Sequence, residues 1–406
     1  MKAGDYNQTM IQLNSQFIRP RYDEGGYAGI PNRIENAFAS GNYDAVVLFL
    51  VDGFGWRFFE RFQEMPFLKR IAKHGRIEKL ISQFPSTTAA HITTIHTGLP
   101  VGSTGVYEWI YYEPLLDQLI APLLFSYAGT KERDTLKSTG VQPESLFPRG
   151  FFYPELRKMG IDPYVFGTWE YTPSTYSSVV MAGTEQISFK TLSESLINLK
   201  LLLEKQTRPA YVYLYFDKID ALCHKYGPNS PQAEAEMETF LLMMEYYIER
   251  IFNGKKRILF LMTADHGQVE IDPQTTIYLN TDSHFAGIER FLKANRNGQL
   301  LVPAGSARDM FLYVKDDLLD EAQSFLSTRL EGKADVVKVD PLIEQGYFGP
   351  EVSSRFRERV GNLIILPHRY ESVWWYEKNK FEQQFYGHHG GLTPQEMETV
   401  LYSYEV

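Results

Sequence analysis

The sequence predicts an α/β fold: a doubly wound, mostly parallel sheet flanked by helices, with a small α+β insertion. Three apolar runs, at 45–52, 210–217 and 257–265, lack polar alternation, as expected of strands covered by helices on both faces. Helical patterns lie between the runs, and such alternation favours a parallel sheet with right-handed crossovers. The sequence pattern changes from about 273 to 352, and this change predicts the insertion.

Each run ends in an acidic residue, and the clearest helix follows the second run. "AVVLFLVD" ends at Asp52, ahead of "GFGW", whose glycines allow a tight turn. "AYVYLYFD" and "RILFLMTAD" end at Asp217 and Asp265. The helix is predicted over 229–252, with Ser230 suited to the N-cap and proline suited to the first helical position.

The later part of the chain reads as an insertion followed by a return. Residues 306–350 have the pattern of a strand, a helix and a strand, whereas 361–369 ("GNLIILPHR") is predicted to rejoin the main sheet. That return would carry "GHHGG" (387–391) to the edge where the early acids lie. We therefore predict one core domain from 1–272 and 353–406, with a cap subdomain at 273–352.

Composition excludes several classes of protein. A net charge of −9 argues against stable nucleic-acid binding, which needs a basic surface. No apolar run approaches the roughly 18–20 residues that span a bilayer, and the first residues lack the apolar core of a secretory signal. The short apolar runs therefore predict no membrane partner. The one cysteine, Cys223, cannot form an internal disulfide or a thiolate cluster, so we expect a reducing, cytoplasmic setting.

Acids and imidazoles cluster at the predicted carboxyl ends of the strands, where open α/β sheets place their sites. Asp220 precedes His224 by four residues, so both lie on one helical face. Taken alone, each residue is more often a turn former or a surface histidine than a ligand. Their number and order favour two sets of oxygen and nitrogen ligands, which suit Zn²⁺ or Mn²⁺.

Five motifs carry a resemblance to a known family: "LFLVDGFGW", "FPSTTAAHITTIHTGLPVGSTGVYEW", "YFDKIDALCHKYGP", "TADHGQVEI" and "HHGGLTPQEM". In this order they resemble the alkaline phosphatase superfamily, and within it the type I phosphodiesterase/nucleotide pyrophosphatase family. The resemblance implies an alkaline phosphatase-like sheet that holds two metal ions, most often zinc. It also implies a Thr or Ser nucleophile at a helix N-terminus.

The resemblance also assigns roles to individual residues. The family places its nucleophile three residues after the proline and ten before the glycine, and both counts give Thr88, with Thr87 left as a cap or as the alternative nucleophile. One metal is expected at Asp52, Thr88, Asp265 and His266, and the other at Asp220, His224 and His389. His388 is the alternative to His389, or supports it.

Two departures from the family concern the substrate. An asparagine that contacts the phosphoryl group in nucleotide pyrophosphatases falls on Trp109, beside Glu108, and "AAH" replaces "FPNH". The candidate substrate-binding residues are Glu108, Trp109, Trp169 and Tyr171. The three aromatic ones, together with Tyr107, could form an aromatic wall, although core packing explains scattered aromatics equally well.

We expect a hydrolase that cleaves a phosphodiester or diphosphate in a small phosphorylated substrate through a phospho-threonine intermediate. Sister activities are phosphomonoester, phosphonate and sulfate hydrolysis. An alternative of another class is a catalytically silent protein that keeps its metals for binding, since fold alone does not decide function.

Overall fold

The computed structural model describes residues 13–252 and 256–405. Within them the α-helices are α1 (Ile30–Ala39), α2 (Trp56–Phe62), α3 (Pro66–His74), α4 (Thr88–Thr97), α5 (Val101–Thr104), α6 (Pro143–Leu146), α7 (Phe152–Lys158), α8 (Thr175–Val180), α9 (Leu192–Lys205), α10 (Lys218–Tyr226), α11 (Pro231–Phe252), α12 (Leu319–Arg329), α13 (Val339–Glu344), α14 (Ser354–Arg359) and α15 (Pro394–Met397). The strands are β1 (Ala45–Val51), β2 (Arg76–Ile81), β3 (Tyr111–Glu113), β4 (Gln118–Ala121), β5 (Ser126–Tyr127), β6 (Asp162–Thr168), β7 (Glu185–Phe189), β8 (Ala210–Phe216), β9 (Ile258–Thr263), β10 (Val269–Glu270), β11 (Ile277–Tyr278), β12 (Ala304–Ser306), β13 (Asp309–Leu312), β14 (Ala334–Lys338), β15 (Leu363–Pro367), β16 (Val373–Trp374), β17 (Gly387–His388) and β18 (Glu398–Glu405).

The central sheet of the described residues has seven strands, in the order β2-β18-β9-β1-β8-β6-β7. Strands β9, β1, β8, β6 and β7 are mutually parallel, whereas β18 runs antiparallel to both β9 and β2. The three predicted strands are therefore confirmed, and they are adjacent. Their carboxyl ends meet at one edge, which brings the residues that follow β1, β8 and β9 together.

Strand β1 is buried on both faces, as its apolar run predicts. Val46, Leu48 and Leu50 pack into one hydrophobic cluster, whereas the alternate residues Val47 and Phe49 pack into another on the opposite face. This is the pattern of a parallel strand with helices on either side.

The predicted helix over 229–252 is α11, and it begins as its sequence indicates. Pro231 is its first residue, and the Ser230 hydroxyl accepts a hydrogen bond from the Ala233 N–H at 3.2 Å. One face of α11 buries Met237, Phe240 and other apolar residues against the central sheet.

The prediction that 361–369 rejoins the main sheet is wrong. Its strand, β15, lies between β13 and β14 in a separate four-stranded sheet, with Ile365 opposite Met310 and Val336. An apolar run fits either sheet, so the pattern does not specify its partner. The return to the central sheet is made instead by β18, and the "GHHGG" loop is held by the pairing of β17 with β10.

The predicted strand–helix–strand pattern of the insertion is confirmed as β13, α12 and β14. A buried ion pair joins this sheet to the end of the "GHHGG" loop: Arg308 Nη2 lies 2.9 Å from Glu396 Oε2, and both side chains are inaccessible to solvent. Glu396 in turn accepts from the Gly391 N–H at 3.0 Å. The domain boundaries at 273 and 352 stay a prediction.

Within the described part of the chain, no helix combines the length and the apolar character that crossing a membrane requires.

Candidate two-metal site

Thr87 and Thr88 lie at the start of helix α4 and differ in role. Thr87 is the N-cap: its hydroxyl accepts from the Ala90 N–H at 3.5 Å and donates to the Tyr107 carbonyl at 3.2 Å. Thr88 is the first helical residue, and its Oγ1 lies 3.1 Å from Nε2 of His266. The first N–H groups of a helix face no carbonyl of their own helix, so an anion can bind beside Thr88.

The first candidate cluster is formed by Asp52, Asp265 and His266, which follow β1 and β9 and are buried. Nε2 of His266 lies 3.3 Å from Asp52 Oδ1 and 3.4 Å from Asp265 Oδ2. The hydroxyl of Thr88 reaches into the same group, 3.5 Å from Asp52 Oδ2. The turn after Asp52 needs a glycine, because Gly53 has φ +72 and a Cβ there would lie 3.2 Å from Asp220 Oδ1.

The second candidate cluster is formed by Asp220, His224 and His389. Asp220 and His224 share one face of α10, with His224 Nε2 3.3 Å from Asp220 Oδ2. His389 Nε2 lies 3.7 Å from the other oxygen, Asp220 Oδ1. His388 instead uses Nδ1 for contacts with the backbone of His389, so His389 is the imidazole that faces Asp220.

The two clusters are neighbours. The rings of His266 and His389 stack with centroids 3.5 Å apart. Burial raises the pKa of Asp265 to about 7. The pKa of Asp52 lies well above its usual range, chiefly because the carboxyl is buried and in addition because Asp265 is close. Burial, and then neighbouring imidazoles, lower the pKa values of His266 and His389, so both rings are neutral and their lone pairs are available.

The donor set fits two divalent cations. Asp52 Oδ1 and Asp265 Oδ2 are buried and have no hydrogen-bond partner among the described residues. Burial makes the ionised form of both carboxyls costly, and a cation between them would favour that form and give the unpaired oxygens a partner. Carboxylate oxygen and neutral imidazole nitrogen, without sulfur, are ligands of Zn²⁺ and Mn²⁺.

The four residues predicted to bind substrate fall into different places. Glu108 is buried, and its carboxylate accepts from the Trp109 N–H and lies beside Asp309. Trp109 and Trp169 are exposed, by 45% and 58%. Tyr171 donates to Asp217 Oδ2 at 2.9 Å, while Tyr107 is buried in the core, where it stacks on Tyr111.

Three residues that hold the site were not predicted from the sequence. Tyr215 donates to Asp52 Oδ2, Gln268 donates to Asp220 Oδ1, and His91 Nδ1 contacts the Thr87 carbonyl at 2.6 Å. Burial lowers the pKa of His91 to about 4, so its ring is neutral and Nδ1–H can donate. Their place in the sequence could have indicated them, because each lies within five residues of a predicted ligand or nucleophile.

Comparison with known proteins gives one family. The family model for type I phosphodiesterase / nucleotide pyrophosphatase matches residues 46–392, which confirms the resemblance. Venom phosphodiesterase 2 of Crotalus adamanteus is 25% identical over 262 residues, covering 61% of this chain and 29% of the venom protein. The venom phosphodiesterase of Naja atra is 26% identical over 260 residues, covering 59% and 28%. The matched segment thus spans less than a third of these relatives.

Solved structures share the fold. Murine ectonucleotide pyrophosphatase / phosphodiesterase 5 superposes with a TM-score of 0.65 at 15% identity, covering 88% of this chain and 87% of that one. An inactive threonine-to-alanine variant of that protein is solved in complex with AMP. Phosphonoacetate hydrolase of Sinorhizobium meliloti 1021, solved with phosphonoacetate, gives 0.58 at 17% identity, covering 88% and 89%.

Proposed function

Since the chain belongs to the type I phosphodiesterase / nucleotide pyrophosphatase family, we propose that it is a two-metal hydrolase of phosphodiesters or diphosphates. The observation that carries the proposal is the position of Thr88. Thr88 is the first residue of helix α4. Its Oγ1 lies 3.1 Å from Nε2 of His266 and 3.5 Å from Oδ2 of Asp52.

We assign one cation to Asp52, Asp265, His266 and Thr88, and the other to Asp220, His224 and His389. Zn²⁺ is the first choice and Mn²⁺ the second, because both accept this donor set. When bound, the ions would supply Lewis acidity that stabilises the Thr88 alkoxide and the charge on the phosphoryl group.

The chain's own groups orient the reaction. Oγ1 of Thr88 attacks phosphorus, the bond from phosphorus to the leaving-group oxygen breaks, and the leaving group departs with the electron pair. The proton lost from Thr88 reaches the leaving group through solvent. Water then attacks the phospho-threonine, the bond from phosphorus to Oγ1 breaks, and the hydroxyl is restored. The backbone N–H groups at the start of α4 bind the phosphoryl oxygens throughout.

A small phosphorylated molecule, such as a nucleotide, is the proposed substrate. The AMP complex of the murine relative supports a nucleotide, and the inactivity of its threonine variant supports a threonine nucleophile. Trp109 and Trp169 offer exposed rings for the organic part of the substrate. The cytoplasmic setting stays a prediction.

A turnover panel tests the proposal. Matched aryl phosphodiester, phosphomonoester, phosphonate and sulfate substrates, and a dinucleotide, are incubated with protein loaded with Zn²⁺ or Mn²⁺. The proposal is supported if the diester or the dinucleotide is cleaved faster than the other substrates. Preferred hydrolysis of another class assigns the sister activity, and no turnover of any substrate favours a catalytically silent binding protein.

A further inference from the structure

We infer that Gln268 is a positioning residue that orients Asp220 and thereby sets the cation affinity of the second cluster, Asp220, His224 and His389. The inference rests on the proposed function, because it takes Asp220 as a metal ligand. It concerns a residue that has no place in either cluster.

The side chain of Gln268 contacts the second cluster directly. It follows His266 by two residues, and its side chain is buried. Its Nε2 donates to Asp220 Oδ1, the oxygen that faces His389 Nε2 at 3.7 Å. The other oxygen of Asp220 faces His224, so the carboxylate is held on both sides.

The orientation of the amide follows from its partner. An ionised carboxylate offers only acceptors, so the amide nitrogen and not the amide oxygen must face it. Oε1 of Gln268 has no hydrogen-bond partner among the described residues.

The side chain and the backbone of Gln268 have separate roles. Its carbonyl oxygen accepts from Nη1 of Arg57 at 3.0 Å, and Arg57 also binds the carboxylate of Glu270. The main chain is therefore held whatever side chain is present. Because the amide bonds only Asp220 within the described part of the chain, a substitution at 268 changes chiefly the orientation of that carboxylate.

Groups that orient a metal ligand from behind affect affinity strongly. Loss of such a partner typically weakens metal binding by about 10- to 100-fold, because the ligand must then be ordered by the ion itself. The effect is expected in the second cluster alone, since Asp52, Asp265 and His266 make no hydrogen bond to the Gln268 amide.

The test is a Zn²⁺ titration of chelator-stripped protein. Binding is measured by calorimetry or by competition with a chromophoric chelator. Gln268→Met removes the donor at nearly constant length, and we expect one of the two dissociation constants to rise about 10- to 100-fold while the other is unchanged. Gln268→Asn, which keeps an amide but falls short of Asp220, should give the same loss and replaces the Met variant if that one folds poorly.

Gln83→Met is the matched control. Gln83 is also fully buried, but its amide bonds Thr94 and Val101 and contacts neither cluster. We expect it to lower the free energy of unfolding without changing either dissociation constant. A comparable rise of the same dissociation constant in the control would show that any buried glutamine produces the effect, and would overturn the inference.

The outcomes separate this inference from the proposed function. Two ions in the wild type, with unchanged affinities in both Gln268 variants, would overturn the role of Gln268 and leave the two-metal proposal intact. Fewer than two ions in the wild type would overturn the proposal itself. In an Asp220→Ala background, Gln268→Met should have no further effect on binding.

Discussion

Oγ1 of Thr88 lies 3.1 Å from Nε2 of His266, although 178 residues separate them in the chain. Neighbouring Thr87 points its hydroxyl the other way, to the Tyr107 carbonyl and the Ala90 N–H. Two adjacent hydroxyls therefore face different parts of the molecule, and one of them faces the candidate site.

The first prediction separates these two threonines. Thr88→Ala should keep both metals and the fold while turnover falls by several orders of magnitude, because the attacking oxygen is gone. Thr88→Ser should keep part of the activity. Thr87→Ala should lower the free energy of unfolding by about 1 kcal/mol, because the helix cap is lost.

Steady-state kinetics check the rates of these variants, and mass spectrometry after an acid quench should find a phosphoryl adduct on the peptide containing residue 88. Loss of turnover in Thr87→Ala alone would move the nucleophile by one residue.

The second prediction concerns metal content. Reconstituted protein should hold two divalent ions per chain, since the two clusters share no residue. Asp265→Ala should empty one site, and Asp220→Ala or His224→Ala the other. Elemental analysis after removal of free metal gives the count. Full activity with a single ion would refute the two-metal assignment.

The third prediction concerns pH. Burial raises the pKa of Glu108 to about 8, against an ordinary value of 4.5, so the folded protein binds a proton there that the unfolded chain releases. The stabilisation is complete below pH 4.5 and is lost as the pH rises toward about 8. Glu108→Gln, which does not titrate, should flatten this decline.

Urea denaturation between about pH 5 and pH 8 measures this effect. Glu351→Gln, at an exposed position, serves as the control and should leave the slope unchanged. A Glu108→Gln variant whose stability declines as steeply as the wild type would contradict the assignment.

The fourth prediction concerns the ion pair between the insertion and the "GHHGG" loop. Arg308→Met leaves Glu396 buried without its counter-charge and should lower the free energy of unfolding by about 3–5 kcal/mol. The double variant Arg308→Met/Glu396→Leu should lose less, because no charge is stranded. Equilibrium denaturation provides the values, with the exposed pair of Arg290 and Glu321 as the control. Equal losses in the two variants would refute the argument.

The fifth prediction concerns the exposed ring of Trp109. Trp109→Ala should raise KM for an aryl phosphodiester and leave kcat within a few-fold, because the exposed ring would contact the organic group and not the reacting atoms. A dialkyl diester should show a smaller change in KM. Leu115→Ala, also exposed, is the control. Equal changes with both substrates would exclude a stacking role for Trp109.

Much of the fold and of the candidate site could be predicted because their signals are local. Unbroken apolar runs identified the central strands, and the four-residue spacing of Asp220 and His224 placed both on one face of α10. The partner of β15 could not be predicted, since Ile365 is equally apolar in either sheet. Gln268 and Tyr215 were missed because a side chain that acts only through a ligand carries no spacing pattern of its own.

The position of β18 between β2 and β9 has a consequence for biosynthesis. Strand β2 is made early, yet its partner in the central sheet emerges more than three hundred residues later. Until then a nascent chain carries β2 with an open edge, able to pair with strands of other chains. Synthesis of β18 ends this exposure, because β18 pairs with both β2 and β9.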